Sequence, residues 1–253
     1  MTYQPFGRLR VDAEFLPKHR KPRFKFVDRG FKKGILLIPG WATDCRIFEK
    51  LDIPFNYLFL ENAPPGEFAE IFTSLPRKIK LSVSRILGWS MGGFIAADLI
   101  SRYPAIFNEV IFVSIRRSYD KNGIGHIKNY LKRNSKAYLC RFYDGLFSKS
   151  EKEHKRWFKE GLLKEYLQDP DSLHLFDGLN YLANRKLKAD SLNCSNIIFV
   201  HGEDDTIAPL EEARIVADEL PFAKFISIKG ASHFPILKEE FRGIFMVKES
   251  INS

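Results

Sequence analysis

Short apolar runs, separated by Gly, Pro or Asn, recur in the first and last thirds of the chain. Runs of this kind are typical of strands that are buried on both faces of a parallel sheet. The predicted strands lie at residues 35–38, 57–60, 84–87, 109–113, 196–200 and 224–228. Predicted helices follow at residues 91–103, 210–220 and 235–249. This alternation predicts an α/β fold, a three-layer sandwich around a mostly parallel sheet.

The middle third of the chain interrupts that alternation. Residues 115–189 show helix signals and no convincing strand, so they predict a helical lid inserted between two core strands. Ser150 and Glu153 have the spacing of a capping box ahead of an amphipathic run. We therefore expect residues 1–114 and 190–253 to form one core, with the lid at 115–189.

Composition and length fit a soluble globular protein. The 253 residues, 45% hydrophobic and 28% charged, fit one α/β domain with one inserted element. No apolar run is long enough to span a membrane, and the polar N-terminus does not resemble a signal peptide, which predicts a cytoplasmic protein. Cys45, Cys140 and Cys194 are odd in number and far apart, which argues against disulfides and a metal site.

The strongest chemical signal is the segment Gly88-Trp89-Ser90-Met91-Gly92-Gly93. It directly follows a predicted strand and opens a predicted helix, which is the context of a nucleophile elbow. The turn strains the backbone of Ser90, so Gly88 and Gly92 supply the room it needs. We predict that Ser90 is a nucleophile.

A serine hydroxyl needs an adjacent base, and hydrolases with this elbow order their triad as Ser, acid, His. His126, His154 and His174 fall in the helical insertion, whereas His233 follows the last predicted strand. His233 is therefore the predicted base.

The predicted acid follows the strand before that one, in His201-Gly202-Glu203-Asp204-Asp205. The spacing to Pro209 favours Asp205, with Asp204 as the alternative. His201 ends the strand, and we expect it to pack in the core.

An oxyanion hole requires two backbone N–H donors. One is expected from Met91, directly after the nucleophile, and the other from Trp41, in Pro39-Gly40-Trp41 after the first predicted strand. The rings of Trp41 and Trp89 either pack in the core or line an acyl pocket; we assign Trp89 to substrate binding.

Together these residues resemble the α/β-hydrolase superfamily and, within it, the esterases that hydrolyse pimeloyl-acyl-carrier-protein methyl ester in biotin synthesis. The matching segments are residues 37–41, 88–93 and 202–209, and His233 with the Pro235 helix. The chain departs from that pattern in three places: Pro39 replaces a histidine, residues 62–66 replace a Gly-x-Gly-x-Ser loop, and residues 67–80 are short for the expected helix.

The resemblance implies an ester hydrolase that uses an acyl-enzyme and needs no metal or organic cofactor. It also implies an acidic acyl-carrier protein as partner, with lid arginines binding it. Residues 116–159 carry a net charge of +9, equal to that of the whole chain, and Arg133 and Arg141 are the candidate contacts. A solvated helical face is the simpler explanation of this charge. No nucleic-acid motif is present, and neither a nucleic-acid nor a membrane partner is expected.

Three alternatives stay open at this point. A pyruvate-eliminating synthase of menaquinone synthesis and an acyl thioesterase have the same triad. A ligand-binding protein on a hydrolase scaffold is a third, although degenerate members of that kind often lose triad residues.

Overall fold

The computed structural model describes residues 21–75 and 77–246. Its centre is a seven-stranded sheet in the order β1-β3-β2-β4-β5-β6-β7. The strands are β1 Arg23–Val27, β2 Gly34–Ile38, β3 Asn56–Glu61, β4 Val83–Trp89, β5 Glu109–Val113, β6 Asn196–Gly202 and β7 Lys224–Ile228. Only β1 is antiparallel to its neighbour, β3, and the remaining pairs are parallel. The predicted α/β class and mostly parallel sheet are thus confirmed.

The central strands explain why the core can be recognised from sequence. Every residue of β2 and of β5 is buried. Because successive side chains of a strand point to opposite faces, complete burial means that both faces of the sheet are covered. The six predicted strands all lie within β2–β7. Only β1 was missed, since at this edge charged residues alternate with aromatic and aliphatic ones and the strand is half exposed.

The helices begin and end close to the predicted positions in the core. They are α1 Phe68–Thr73, α2 Arg77–Ser82, α3 Met91–Arg102, α4 Lys121–Asp144, α5 Lys152–Phe158, α6 Lys164–Gln168, α7 Leu175–Ala183, α8 Leu210–Asp218 and α9 Glu239–Met246. The long final helix was predicted wrongly: a 3-10 turn over Pro235–Leu237 precedes the shorter α9, and residues 247–249 lie outside the described part. The short helices α1 and α2 occupy the stretch where one helix was expected.

Helices alone connect β5 to β6, apart from one isolated bridge between Ser118 and Lys186. A kink at Asn134 divides α4, where the backbone leaves helical dihedral angles. The capping box predicted from Ser150 and Glu153 is wrong, because Ser150 donates to the carbonyl of Gly230 and Glu151 is the N-cap of α5. Cys45, Cys140 and Cys194 are free cysteines. None of the helices among the described residues has the length and apolarity that crossing a membrane requires.

Candidate active site

Ser90 lies in a sharp turn between β4 and α3. Its φ of 53° and ψ of −120° are strained for a residue with a side chain. A Cβ atom on Gly88 would come within 2.4 Å of the Gly92 carbonyl oxygen, and one on Gly92 within 2.3 Å of the Ile38 carbonyl oxygen. Only glycine fits at both positions, because Gly88 packs against the start of α3 and Gly92 packs against the end of β2. The Gly-x-Ser-x-Gly pattern therefore follows from the close packing of this turn.

His233 follows β7, and its side chain lies against Ser90. Its Nε2 atom lies 2.9 Å from Ser90 Oγ, and its side chain is fully buried. The backbone of His233 is also held by a hydrogen bond, because the indole N–H of Trp89 donates to its carbonyl oxygen at 2.7 Å. The Trp89 ring is itself buried and packs against Phe234, so it supports the histidine loop. Its predicted role in substrate binding stays a prediction.

Asp205 completes the chain of hydrogen bonds. Its Oδ2 atom lies 2.8 Å from His233 Nδ1, while Oδ1 accepts from the backbone N–H groups of Ile207 and Ala208 at 2.9 Å each. The neighbouring candidate, Asp204, is exposed, and its backbone N–H donates to the Ala231 carbonyl. Of the two aspartates, it is therefore Asp205 whose side chain contacts the histidine.

His201 is a second histidine at this carboxylate, and sequence reasoning missed it. We expected it to pack in the core, and it is indeed buried, but its Nε2 atom lies 2.6 Å from the Ala208 carbonyl and 3.2 Å from Asp205 Oδ2. Burial raises the pKa of Asp205, but the charge of His233 and hydrogen bonds from both histidines outweigh it and hold that pKa well below its usual value. The four-residue spacing between His201 and Asp205 was the available signal.

The residues predicted to supply the oxyanion donors lie on either side of Ser90. Met91 is the first residue of α3, where a backbone N–H has no acceptor within the helix. On the other side, a Cβ atom on Gly40 would lie 3.2 Å from Ser90 Cβ, so the Gly40–Trp41 backbone runs directly beside the serine. The indole of Trp41 donates to the Leu175 carbonyl at 2.9 Å, which joins this loop to α7.

Tyr119 is a further group beside Ser90 that sequence reasoning did not identify. Burial raises the pKa of its phenol to about 12, while the polar Ser90 side chain and the charge of Arg116 act in the opposite direction. The Arg116 guanidinium lies 5.0 Å from the centre of the Tyr119 ring and forms an ion pair with Glu212. At neutral pH the phenol is therefore protonated and able to donate.

Helices of the 115–189 segment cover this site. The Tyr143 hydroxyl donates to the Ala42 carbonyl at 2.6 Å, and the Phe142 ring lies 4.9 Å from the Trp41 ring. Ser90 retains only 6% of its exposure. By contrast, Arg133 and Arg141 are exposed on α4, on either side of the kink, and the structure does not bring them to the serine.

Comparisons with known proteins bear on the family and the fold of this chain. The sequence model of the α/β hydrolase fold family matches residues 68–240. A pimeloyl-[acyl-carrier protein] methyl ester esterase of Nitrosomonas europaea is 26% identical over 175 residues, covering 63% of this chain and 69% of that protein. The corresponding esterase of Vibrio campbellii is 24% identical and covers 64% and 68%.

Solved structures share the fold along most of the chain. A bromoperoxidase from Bacillus anthracis superposes with a TM-score of 0.76 at 18% identity, covering 90% of this chain and 95% of that one. An esterase from Exiguobacterium antarcticum reaches 0.75 at 16% identity, with coverages of 92% and 96%. The resemblance inferred from the motifs is confirmed at the level of the superfamily.

Proposed function

Because the chain belongs to the α/β hydrolase fold family, we propose that it is a serine carboxylester hydrolase with Ser90 as nucleophile, His233 as base and Asp205 as orienting acid. One observation carries this proposal: Asp205, His233 and Ser90 form a continuous hydrogen-bonded chain, with links of 2.8 and 2.9 Å. This is the arrangement that turns a weak hydroxyl nucleophile into a reactive one.

The mechanism follows from these contacts. Ser90 Oγ attacks the ester carbonyl while His233 Nε2 takes the hydroxyl proton, and Asp205 holds the imidazole in the tautomer that exposes Nε2 as acceptor. The negative charge that develops on the carbonyl oxygen is stabilised by the backbone N–H groups of Met91 and Trp41. His233 returns the proton to the departing alcohol, and then activates a water that releases the acid from Ser90.

The specific substrate we propose is the methyl ester of a pimeloyl group on acyl-carrier protein. Two observations support it. The curated relatives are esterases with this name, and the net charge of the whole chain is matched by that of residues 116–159. Arg133 and Arg141 are exposed on α4, so a basic face there favours docking of an acidic carrier. In this proposal residues 115–189 act as the lid.

The test is hydrolysis of the methyl ester of pimeloyl-carrier protein, beside p-nitrophenyl butyrate, with Ser90→Ala as the matched control. We expect the wild type to release methanol and the variant to be inactive with its fold intact. Cleavage of the small ester alone would retain the hydrolase and reject the carrier substrate. Unchanged turnover in Ser90→Ala would reject the nucleophile.

A further inference from the structure

A buried carboxylate lies where the helical segment meets the loop that carries His233. Glu151 is 2% exposed, and its side chain is completely buried. Its Oε2 atom accepts two backbone hydrogen bonds, from Ser148 N–H at 2.8 Å and from Ser232 N–H at 3.0 Å. The second donor belongs to the residue directly before His233, so this lid carboxylate is bonded to the backbone of the histidine loop.

The same short segment also contacts the start of that loop. The hydroxyls of Ser150 and Ser148 donate to the Gly230 carbonyl at 2.8 and 3.3 Å. Gly230 has a φ of +68°, so the chain turns there in a conformation that glycine adopts readily. Residues 148–151, which we name the strap, therefore contact the histidine loop at two points, Gly230 and Ser232.

Contacts from the core to this loop are of a different kind. The indole of Trp89 and the backbone N–H of Asp204 donate to the carbonyls of His233 and Ala231, and the Ser232 hydroxyl donates to the Asp204 carbonyl. None of these three hydrogen bonds provides an acceptor for the backbone N–H of Ser232. Glu151 satisfies it, because its Oε2 atom accepts from the Ser232 N–H at 3.0 Å.

The burial of this carboxylate requires an explanation. Removing an ionised carboxylate from water is unfavourable unless hydrogen bonds and nearby positive charge compensate. Its second oxygen, Oε1, has no hydrogen-bond partner among the described residues and lies 3.8 Å from His154 Nδ1. A neutral side chain could satisfy two amides at lower cost. The two backbone donors, one in the helical segment and one in the histidine loop, supply the compensation that the structure shows, so the position requires an acceptor oxygen that reaches both amides.

We propose that Glu151 is a positioning residue for His233: it fixes the Ser232 amide and, through it, the orientation of the imidazole toward Ser90. The role rests on the proposed hydrolase function, since it concerns the same base. It also makes the strap a point of coupling, because a movement of the lid at residues 148–151 displaces the histidine loop.

Two substitutions in the full-length protein separate acceptor geometry from charge. Glu151→Asp keeps the charge but is one methylene shorter, so the carboxylate no longer reaches both amides. Glu151→Gln loses the charge but keeps an oxygen at the same distance. Glu153→Asp, two residues along and exposed, is the matched control. The readouts are kcat and KM for p-nitrophenyl butyrate and the downfield proton resonance of the His233–Asp205 hydrogen bond.

We expect Glu151→Asp to lower kcat about tenfold at a nearly unchanged KM, since small displacements of a catalytic group have effects of this order. Its downfield resonance should shift or broaden, whereas Glu151→Gln and Glu153→Asp should stay close to the wild type in both readouts. If Glu151→Asp matches Glu153→Asp, or if Glu151→Gln is slow while Glu151→Asp is not, the inference is overturned.

If Glu151→Asp does not fold, Glu151→Gln still tests the inference. A lowered kcat in Glu151→Gln together with a wild-type downfield resonance would contradict a positioning role. The resonance reports the geometry of the base without any turnover. If the wild type cleaves no ester, the proposed function is wrong. An unaltered resonance in Glu151→Asp would instead contradict the positioning role, so the two failures can be told apart.

Discussion

The Nε2 atom of His201 lies 3.2 Å from Oδ2 of Asp205, the same oxygen that faces His233. A carbonyl can only accept, so the 2.6 Å contact with Ala208 shows that Nε2 of His201 carries a proton. That N–H is shared between the Ala208 carbonyl and the carboxylate. Asp205 is thus held by two backbone amides on one oxygen and by two imidazoles on the other.

This arrangement predicts a functional cost when His201 loses its donor. We expect His201→Leu to lower kcat for p-nitrophenyl butyrate about tenfold, which corresponds to about 1.4 kcal/mol of lost transition-state stabilisation. His201→Gln should lose less, because its amide can place an N–H near the position of Nε2. Steady-state kinetics on the wild type and the two variants test this prediction. A wild-type kcat in both variants would show that the contact has no role in catalysis.

The depressed pKa of Asp205 predicts how its contribution to stability depends on pH. Because the folded-state pKa is lower than that of the unfolded chain, the native carboxylate stays ionised where the unfolded one binds a proton. Its contribution is therefore complete above the unfolded pKa of about 4, and is lost as pH falls through the folded-state value.

Urea unfolding of the wild type and of Asp205→Asn at about pH 7 and about pH 3 measures this effect. We expect the difference in the free energy of unfolding between the two proteins to shrink at the acidic pH. A difference that does not change with pH would contradict the proposed state of the carboxylate.

Gly178 of α7 is predicted to be essential for the placement of Trp41. A Cβ atom there would come within 2.6 Å of Trp41 Cδ1 and 3.2 Å of Met91 Sδ, so Gly178→Ala should displace the loop that carries the proposed oxyanion donor. Both kcat and the melting temperature should fall. The control is Gly243→Ala in α9, where a Cβ meets nothing within 4 Å; that change should stabilise the protein by up to about 1 kcal/mol. Equal effects of the two substitutions would contradict this view of α7.

The basic face of α4 predicts a defect that is specific to the carrier-bound substrate. We expect Arg133→Glu with Arg141→Glu to lower kcat/KM for the carrier ester about tenfold at low salt, and less at high salt, because exposed charges are screened. Turnover of p-nitrophenyl butyrate should be unaffected. Lys32→Glu with Lys224→Glu changes the net charge equally at exposed positions outside this face. The same loss in both double variants would assign the effect to net charge alone.

The sequence by itself determined most of the sheet and pointed to the elbow that carries Ser90, because both depend on local patterns. Completely buried strands such as β2 and β5 appear as continuous apolar runs, and the elbow needs glycine at positions 88 and 92 wherever it occurs in a chain. The histidine could also be found, since His233 directly follows the last strand. The edge strand β1 was missed because its exposure leaves only a short alternating pattern.

Only the tertiary structure decided which neighbouring side chains meet. Asp204 and Asp205 have the same side chain and are adjacent in the sequence. Only the direction of the turn after β6 brings Asp205, and not Asp204, to His233. The roles proposed for His201 and Glu151, and the position of Tyr119 beside Ser90, depend on contacts between different elements of the fold. No periodic pattern in the sequence links the residues that make these contacts. Glu151 meets Ser232 across 81 positions of the chain, and such a contact arises only when the helical segment packs back onto the sheet edge that carries His233.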